Sequence, residues 1–200
     1  MTRTAFCSTV VCAVSLLVPL FASGQGPQGN AATGEKLFKD LRCSTCHSVK
    51  GSGGKIAPAL GATAGQAYTP NTMAGSMWSH VTKMWDAMKQ AGISRPKITE
   101  HQAADLFAYF GGRPGSDKPG NAAQGRKVFE AKLCASCHDN SYLAPDLSPL
   151  AGRVSAFSMV QSLWEHGDGM LARMVSRNVS WQTLTPEEMG NIIAYLNAKK

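Results

Sequence analysis

No stretch of this 200-residue chain alternates apolar and polar residues over the length of a strand, so helical periodicity must organise it. Long hydrophobic runs are nearly absent too. The one present, Ala5 to Leu20, is short for a bilayer span, and no basic stop-transfer cluster follows it. Preceded by Arg3 and followed by the small residues Ala22-Ser23-Gly24, it reads as an export signal. The cut is expected after Gly24, giving a soluble periplasmic chain; a retained membrane anchor is the rival reading. Cys7 and Cys12 leave with the signal, and neither has a lipobox-like context. The formal charge of +7 falls to +6 without Arg3 (19 basic against 13 acidic residues), and no aromatic residues interleave with the basic ones. That excludes a nucleic-acid footprint. The glycine-rich run Gly51-Ser52-Gly53-Gly54-Lys55-Ile56 lacks the spacing of a phosphate loop, no strand precedes it, and Ile56 stands where a magnesium-binding Ser or Thr would be.

Cysteine is scarce in the mature chain. Six cysteines less the two of the signal leave four, and all four lie in Cys43-Ser44-Thr45-Cys46-His47 and Cys134-Ala135-Ser136-Cys137-His138. C-x-x-C-H is the attachment pattern of haem c. Two thiols add to the vinyl groups of one haem, and the adjacent His becomes the proximal ligand of its iron. Two covalently attached haem c groups are therefore expected, held by Cys43, Cys46 and His47 and by Cys134, Cys137 and His138. Export agrees with this, because haem is attached to such proteins outside the cytoplasm. Two disulfides are one rival. A tetrahedral zinc site is another, and it would need a fourth ligand in each copy.

The copies belong to longer repeats. Asn30-Ala31-Ala32-Thr33-Gly34-Glu35-Lys36-Leu37-Phe38 matches Asn121-Ala122-Ala123-Gln124-Gly125-Arg126-Lys127-Val128-Phe129 at the same offset as the Cys pairs. Between them, residues 111–120 (Gly-Gly-Arg-Pro-Gly-Ser-Asp-Lys-Pro-Gly) have no apolar periodicity and read as an exposed linker. The expected organisation is a signal over 1–24, a first domain over 25–110, the linker, and a second domain over 121–200. The expected class is all-α. Asn30 and Asn121 are good N-caps for a first helix that lines up Gly34, Leu37, Phe38 and Leu41, or Gly125, Val128 and Phe129. Thr99 to Gln102 and Thr185 to Glu188 are capping-box signatures for a last helix, with Pro186 at a favourable first position. Domains of about 80 to 90 residues have thin cores, so each haem would serve as a core element and the apoprotein should fold poorly.

Pro58 and Pro145 follow the two motifs at similar distance, and their carbonyls are candidate acceptors for the second ring nitrogen of His47 and His138; a loop proline without that contact is the bland reading. Further on, Trp78-x-His80-x-x-x-Met84-x-x-x-Met88 aligns with Trp164-x-His166-x-x-x-Met170-x-x-x-Met174. His, Met and Met at this spacing lie near one helical face, and at most one per haem binds iron. Trp78, Trp85 and Trp164 are expected to pack near the haems. His101 has no counterpart in the second copy and reads as a solvated helix-start residue.

Met88-Lys89-Gln90-Ala91-Gly92-Ile93, followed by Glu100 and then Asp105-Leu106-Phe107-Ala108-Tyr109, resembles the distal Met, loop and terminal helix of class I cytochrome c. The whole chain resembles a dihaem member with two tandem domains. The resemblance implies that Met88 and Met174 are the sixth ligands of the iron. It also implies that Leu106 and Tyr109 pack on Gly34 and Phe38, and Ile192 and Tyr195 on Gly125 and Phe129. The Met lies further from the last helix than in short members and no Pro directly follows it, which leaves Met84 with Met170, and His80 with His166, as alternatives.

The function implied is a periplasmic carrier of single electrons between redox partner proteins, with no catalytic residues and no nucleic-acid partner. Residues 25–110 carry +4 and residues 121–200 carry +1, which points to an acidic partner at the first domain. A cytochrome subunit of a larger dehydrogenase or oxidase complex, membrane-associated through a partner, is the alternative. A dihaem peroxidase-type enzyme is a further one, and it would need an open or displaceable distal position.

Overall fold

The computed structural model describes residues 26–63, 67–139 and 142–199. The export signal and its cut after Gly24 lie outside the described residues. The described helices are α1 (Ala31–Asp40), α2 (Pro70–Gln90), α3 (Glu100–Tyr109), α4 (Ala122–Ala131), α5 (Ala135–His138), α6 (Ala156–Ser176) and α7 (Pro186–Ala198). A hairpin of two-residue strands, β1 (Ser48–Val49) against β2 (Ser52–Gly53), is the only sheet among the described residues. β1 precedes the glycine-rich run and β2 lies within it, so a strand does precede that run, against the expectation; strands that short leave no alternation to detect. The fold is otherwise helical, as expected, and none of these helices is long and apolar enough to cross a membrane.

The helices begin where their side chains can satisfy the first free N–H groups. The Asn30 carboxamide accepts from the N–H groups of Ala32 and Thr33, and Asn121 accepts from Gln124. The backbone N–H of each Asn is in turn bound by the last helix of its repeat, Asn30 by Asp105 Oδ1 and Asn121 by Asn191 Oδ1 at 2.8 Å. Thr99 with Gln102, and Thr185 with Glu188, complete the capping boxes of α3 and α7. Thr69 caps α2 and Ser155 caps α6.

Within each repeat the first and last helices cross. Gly34 lies directly against the Asp105 carbonyl and Phe38 against the Tyr109 ring at 5.6 Å. Gly125 meets the Asn191 carbonyl and Phe129 the Tyr195 ring at 5.3 Å. The tyrosine contacts implied by the resemblance are thus present in both halves, and Leu106 and Ile192 lie in the same buried cluster as Phe38 and Phe129. Both crossings depend on glycine, because a Cβ at either position would overlap backbone.

The long helices do not stay within their own repeats. α2 packs on α7 and on α6, while α6 packs on α3. Phe157 of α6 lies 5.3 Å from Phe107 of α3, and Gln161 accepts a hydrogen bond from the Glu100 N–H at 2.8 Å. α2 reciprocates by seating Gly75 against Leu184, Thr185 and Pro186 at the start of α7. The two long helices cross where the Trp85 ring lies over Gly167. As a result Phe38, Leu106 and Phe107 share one buried cluster with Phe129, Ile192 and Leu196. Each such side chain contributes about 2 to 3 kcal/mol of burial, and that contribution is shared between halves. The segment 111–120 is largely exposed, yet it is tied down: Arg113 N–H donates to the Tyr68 carbonyl, and Asp117 accepts from the Asn71 N–H at 3.0 Å.

Candidate metal centres

Each C-x-x-C-H motif leaves its first helix through one left-handed residue, Arg42 (φ 61°) after α1 and Leu133 (φ 64°) after α4. The chain then makes a single helical turn. His47 N–H donates to the Cys43 carbonyl and His138 N–H to the Cys134 carbonyl, both at 3.0 Å. That turn is 3₁₀-like in the first copy and the short helix α5 in the second, but its closing hydrogen bonds are the same. The four cysteines of the two motifs form no disulfide with one another, so the two-disulfide alternative is not what this fold forms. Burial pushes the thiols of Cys43 and Cys134 up to about 11, which keeps them neutral at ordinary pH.

The imidazoles are oriented by backbone. His47 Nδ1 lies 2.8 Å from the Pro58 carbonyl oxygen, and His138 Nδ1 lies 3.1 Å from that of Pro145. A carbonyl oxygen only accepts, so Nδ1 carries the proton in both rings and Nε2 is left with a lone pair. This is the arrangement that fixes the tautomer and plane of a metal-ligating His. The proline carbonyls therefore have the contact that the sequence left undecided. The two sites differ in cover. His47 is buried beneath the loop carrying β1 and β2, where Gly54 N–H donates to the Ser44 and His47 carbonyls. The second copy has a shorter loop there, and His138 is half-buried.

Among the described residues no three His, Cys, Asp or Glu side chains converge on a common point as a metal-ligand cluster. The two thiols and the imidazole of each motif are thus not placed as part of a tetrahedral zinc site. Their chemistry fits a macrocycle fixed by two thioethers and one axial imidazole.

On the distal candidates the structure separates His from Met. His80 Nδ1 is bound back to the Ser76 carbonyl of its own helix, and the His166 side chain is 77% exposed beside Glu165. Met84 and Met88 are half-buried and pack on Val81, Trp85 and Leu163 where α2 meets α6. Met170 and Met174 are half-buried on α6, outside both buried clusters. The residues just past α2 return to the first motif: Gly92, Ile93, Ser94 and Pro96 line a cleft of about 280 Å³ with Leu41 and Arg42, next to Cys43. A second cleft, of about 320 Å³, is lined by His138, Asp139, Asp146 and Lys199.

One contributor was missed from the sequence. Trp78, Trp85 and Trp164 meet where α2 packs on α6, and Trp181, the fourth tryptophan of the chain, joins them. Trp181 stacks on Trp78 at 5.1 Å and meets Trp85 edge-on at 6.1 Å. Its counterpart in the first repeat is Arg95, whose guanidinium lies 4.8 Å over the Trp85 ring and pairs with Asp168. The 86-residue offset would have pointed to Trp181, but a Trp opposite an Arg does not register as a match.

The family model for cytochrome c matches residues 31–111 and again residues 122–200. No solved structure matches the chain.

Proposed function

The chain belongs to the cytochrome c family, and from that premise we propose that it is a periplasmic carrier passing single electrons between redox partner proteins through two His/Met-ligated irons. Cytochrome c domains bind haem c covalently, and two tandem domains provide two haems. The finer assignment is Cys43 and Cys46 with His47 and Met88 at the first iron, and Cys134 and Cys137 with His138 and Met174 at the second. Bound haem supplies a one-electron iron couple. The residues of the chain would hold and enclose it: the four cysteines would fix the rings as thioethers, Pro58 and Pro145 orient the proximal imidazoles, and Met88 and Met174 would close each iron against substrate.

The observation that carries this reading is the pair of Nδ1-to-carbonyl hydrogen bonds, which in both repeats leave Nε2 available to a metal one residue after the C-x-x-C pair. The return of Gly92 to Pro96 to the first motif favours Met88 over Met84, because Met88 lies one turn closer to that segment. The charge of the first half, +4 against +1, supports an acidic partner there. Membership of a larger complex would use the same chemistry with an obligate partner.

Absorption spectra of the oxidised and reduced holoprotein test the reading. Low-spin haem with a weak band at about 700 nm is expected of His/Met ligation. A large high-spin fraction or peroxide turnover would instead support the dihaem peroxidase alternative. Met88→Ala should remove the band from one haem and Met84→Ala should not; the reverse result reassigns the ligand.

A further inference from the structure

The exchange of long helices has a chemical consequence at one haem. The segment between Met174 and α7 is held mainly by residues of the first repeat. Trp78 Nε1 donates to the Gln182 carbonyl at 2.9 Å, and Trp181 Nε1 donates back to the Trp78 carbonyl at 2.8 Å. The Ser79 hydroxyl donates to the Leu184 carbonyl and accepts from the Leu184 N–H, both at 2.9 Å. Leu184 is 5% exposed, so these backbone groups have little water to turn to. From its own repeat, the segment also receives Lys132 Nζ on the Thr183 carbonyl. Among the described residues, the matching segment of the first repeat, residues 91–98, has no such clasp. Its neighbour α6 reaches it through the Arg95–Asp168 ion pair and binds Glu100 through Gln161.

We propose that Trp78 and Ser79, though carried by the first repeat, are positioning residues for the distal side of the second haem, keeping the segment after Met174 closed so that the methionine stays in place. The inference rests on the assignment of Met174 as second-haem ligand. Ligand dissociation requires the segment to move, and moving it breaks four hydrogen bonds to α2. Loss of one or two of these favours the open form by about tenfold. None of the four bonds touches residues 91–98, so the effect is expected at the second haem and not at the first.

The test uses the full-length holoprotein carrying Met88→Ala, in which the band at about 700 nm comes from the second haem alone. Ser79→Ala or Trp78→Phe is added to it; the second removes one N–H donor and keeps a ring in the stack. Imidazole, which competes for iron, should displace the methionine at about tenfold lower concentration in either variant. In the otherwise native chain, redox titration should show one of two potentials lowered and the other unchanged. If the band is present and both variants match their parent in imidazole affinity and potential, the clasp does not position the ligand. Absence of the band from the Met88→Ala chain itself would overturn the Met174 assignment, and the inference with it. A shift at both haems would make the effect a general loosening and would also overturn the proposal.

Discussion

Gly125 lies directly beneath the carbonyl oxygen of Asn191, with no room for a methyl group between α4 and α7. Gly34 and Asp105 repeat the relationship between α1 and α3. The obstacle is backbone in both cases, so a flexible side chain cannot yield to accommodate a larger residue. Gly34→Ala and Gly125→Ala should each destabilise the protein by about 2 kcal/mol or more. Thermal denaturation followed by helical circular dichroism measures this, and a change below about 0.5 kcal/mol would show that the crossings can spread without loss.

The shared core predicts a single cooperative unfolding. Phe107 of the first repeat packs on Phe157 of the second, and Met73, Ala74 and Leu184 join the same buried cluster. Neither half can lose its packing without exposing the other. Helical signal and the absorbance of both haems should therefore change at one denaturant concentration. Two separated transitions would show that the halves are independent despite their contacts.

The sequence made one level of this structure legible and concealed another. Caps depend on residues a few positions apart, so Asn30 and Thr99 could be placed by spacing alone, and spacing also set Gly34 and Phe38 on one face of α1; that this face meets the last helix was implied only by the resemblance to class I cytochrome c. The attachment motifs were equally clear, because each of their residues has its own chemical task. The partner of a long amphipathic helix is a different matter. The apolar face of α2 has the same periodicity whether it packs on α3 or on α7, so the two domains and their linker could be read from the repeats but not which helices pack across them. Gly75 and Gly167 mark the close approaches, but a glycine within a helix does not say what it approaches. The distal ligand stayed open for a related reason: Met84 and Met88 lie on one face, and periodicity cannot rank them.

Acid sensitivity should be traceable in part to Glu188. Burial raises its carboxyl, but the Thr185 N–H at 2.8 Å and the Lys132 ammonium at 3.1 Å outweigh that and hold it below the usual carboxylate range. A carboxyl lowered by folding adds stability above its unfolded value, and that stability is lost as pH falls through the folded value. Wild-type stability should thus decline below pH 4.5, the ordinary value for this group. Glu188→Gln should be flatter in that window and weaker at neutral pH by about 0.5 kcal/mol, since the group is largely solvent-screened. Denaturant titrations at several pH values measure both. Parallel curves for the two proteins would remove Glu188 from the account.

The histidines of the long helices give a sharper test of the ligand set, because two sequence-equivalent residues occupy different environments. The His166 side chain is 77% exposed next to Glu165, and His80 is bonded to the Ser76 carbonyl one turn back. Neither imidazole is held as the proximal rings are, by a distant loop carbonyl that sets the ring plane. His166→Ala should leave the spectra and both potentials unchanged and alter stability by no more than about 0.5 kcal/mol. His80→Ala should likewise keep the band at about 700 nm, losing only a local hydrogen bond. A spectrum in either variant that turns high-spin at one haem would identify that histidine as the axial ligand. The methionine on the same helix would then be packing, and the iron of that half would carry two imidazoles, with the lower potential that such ligation brings.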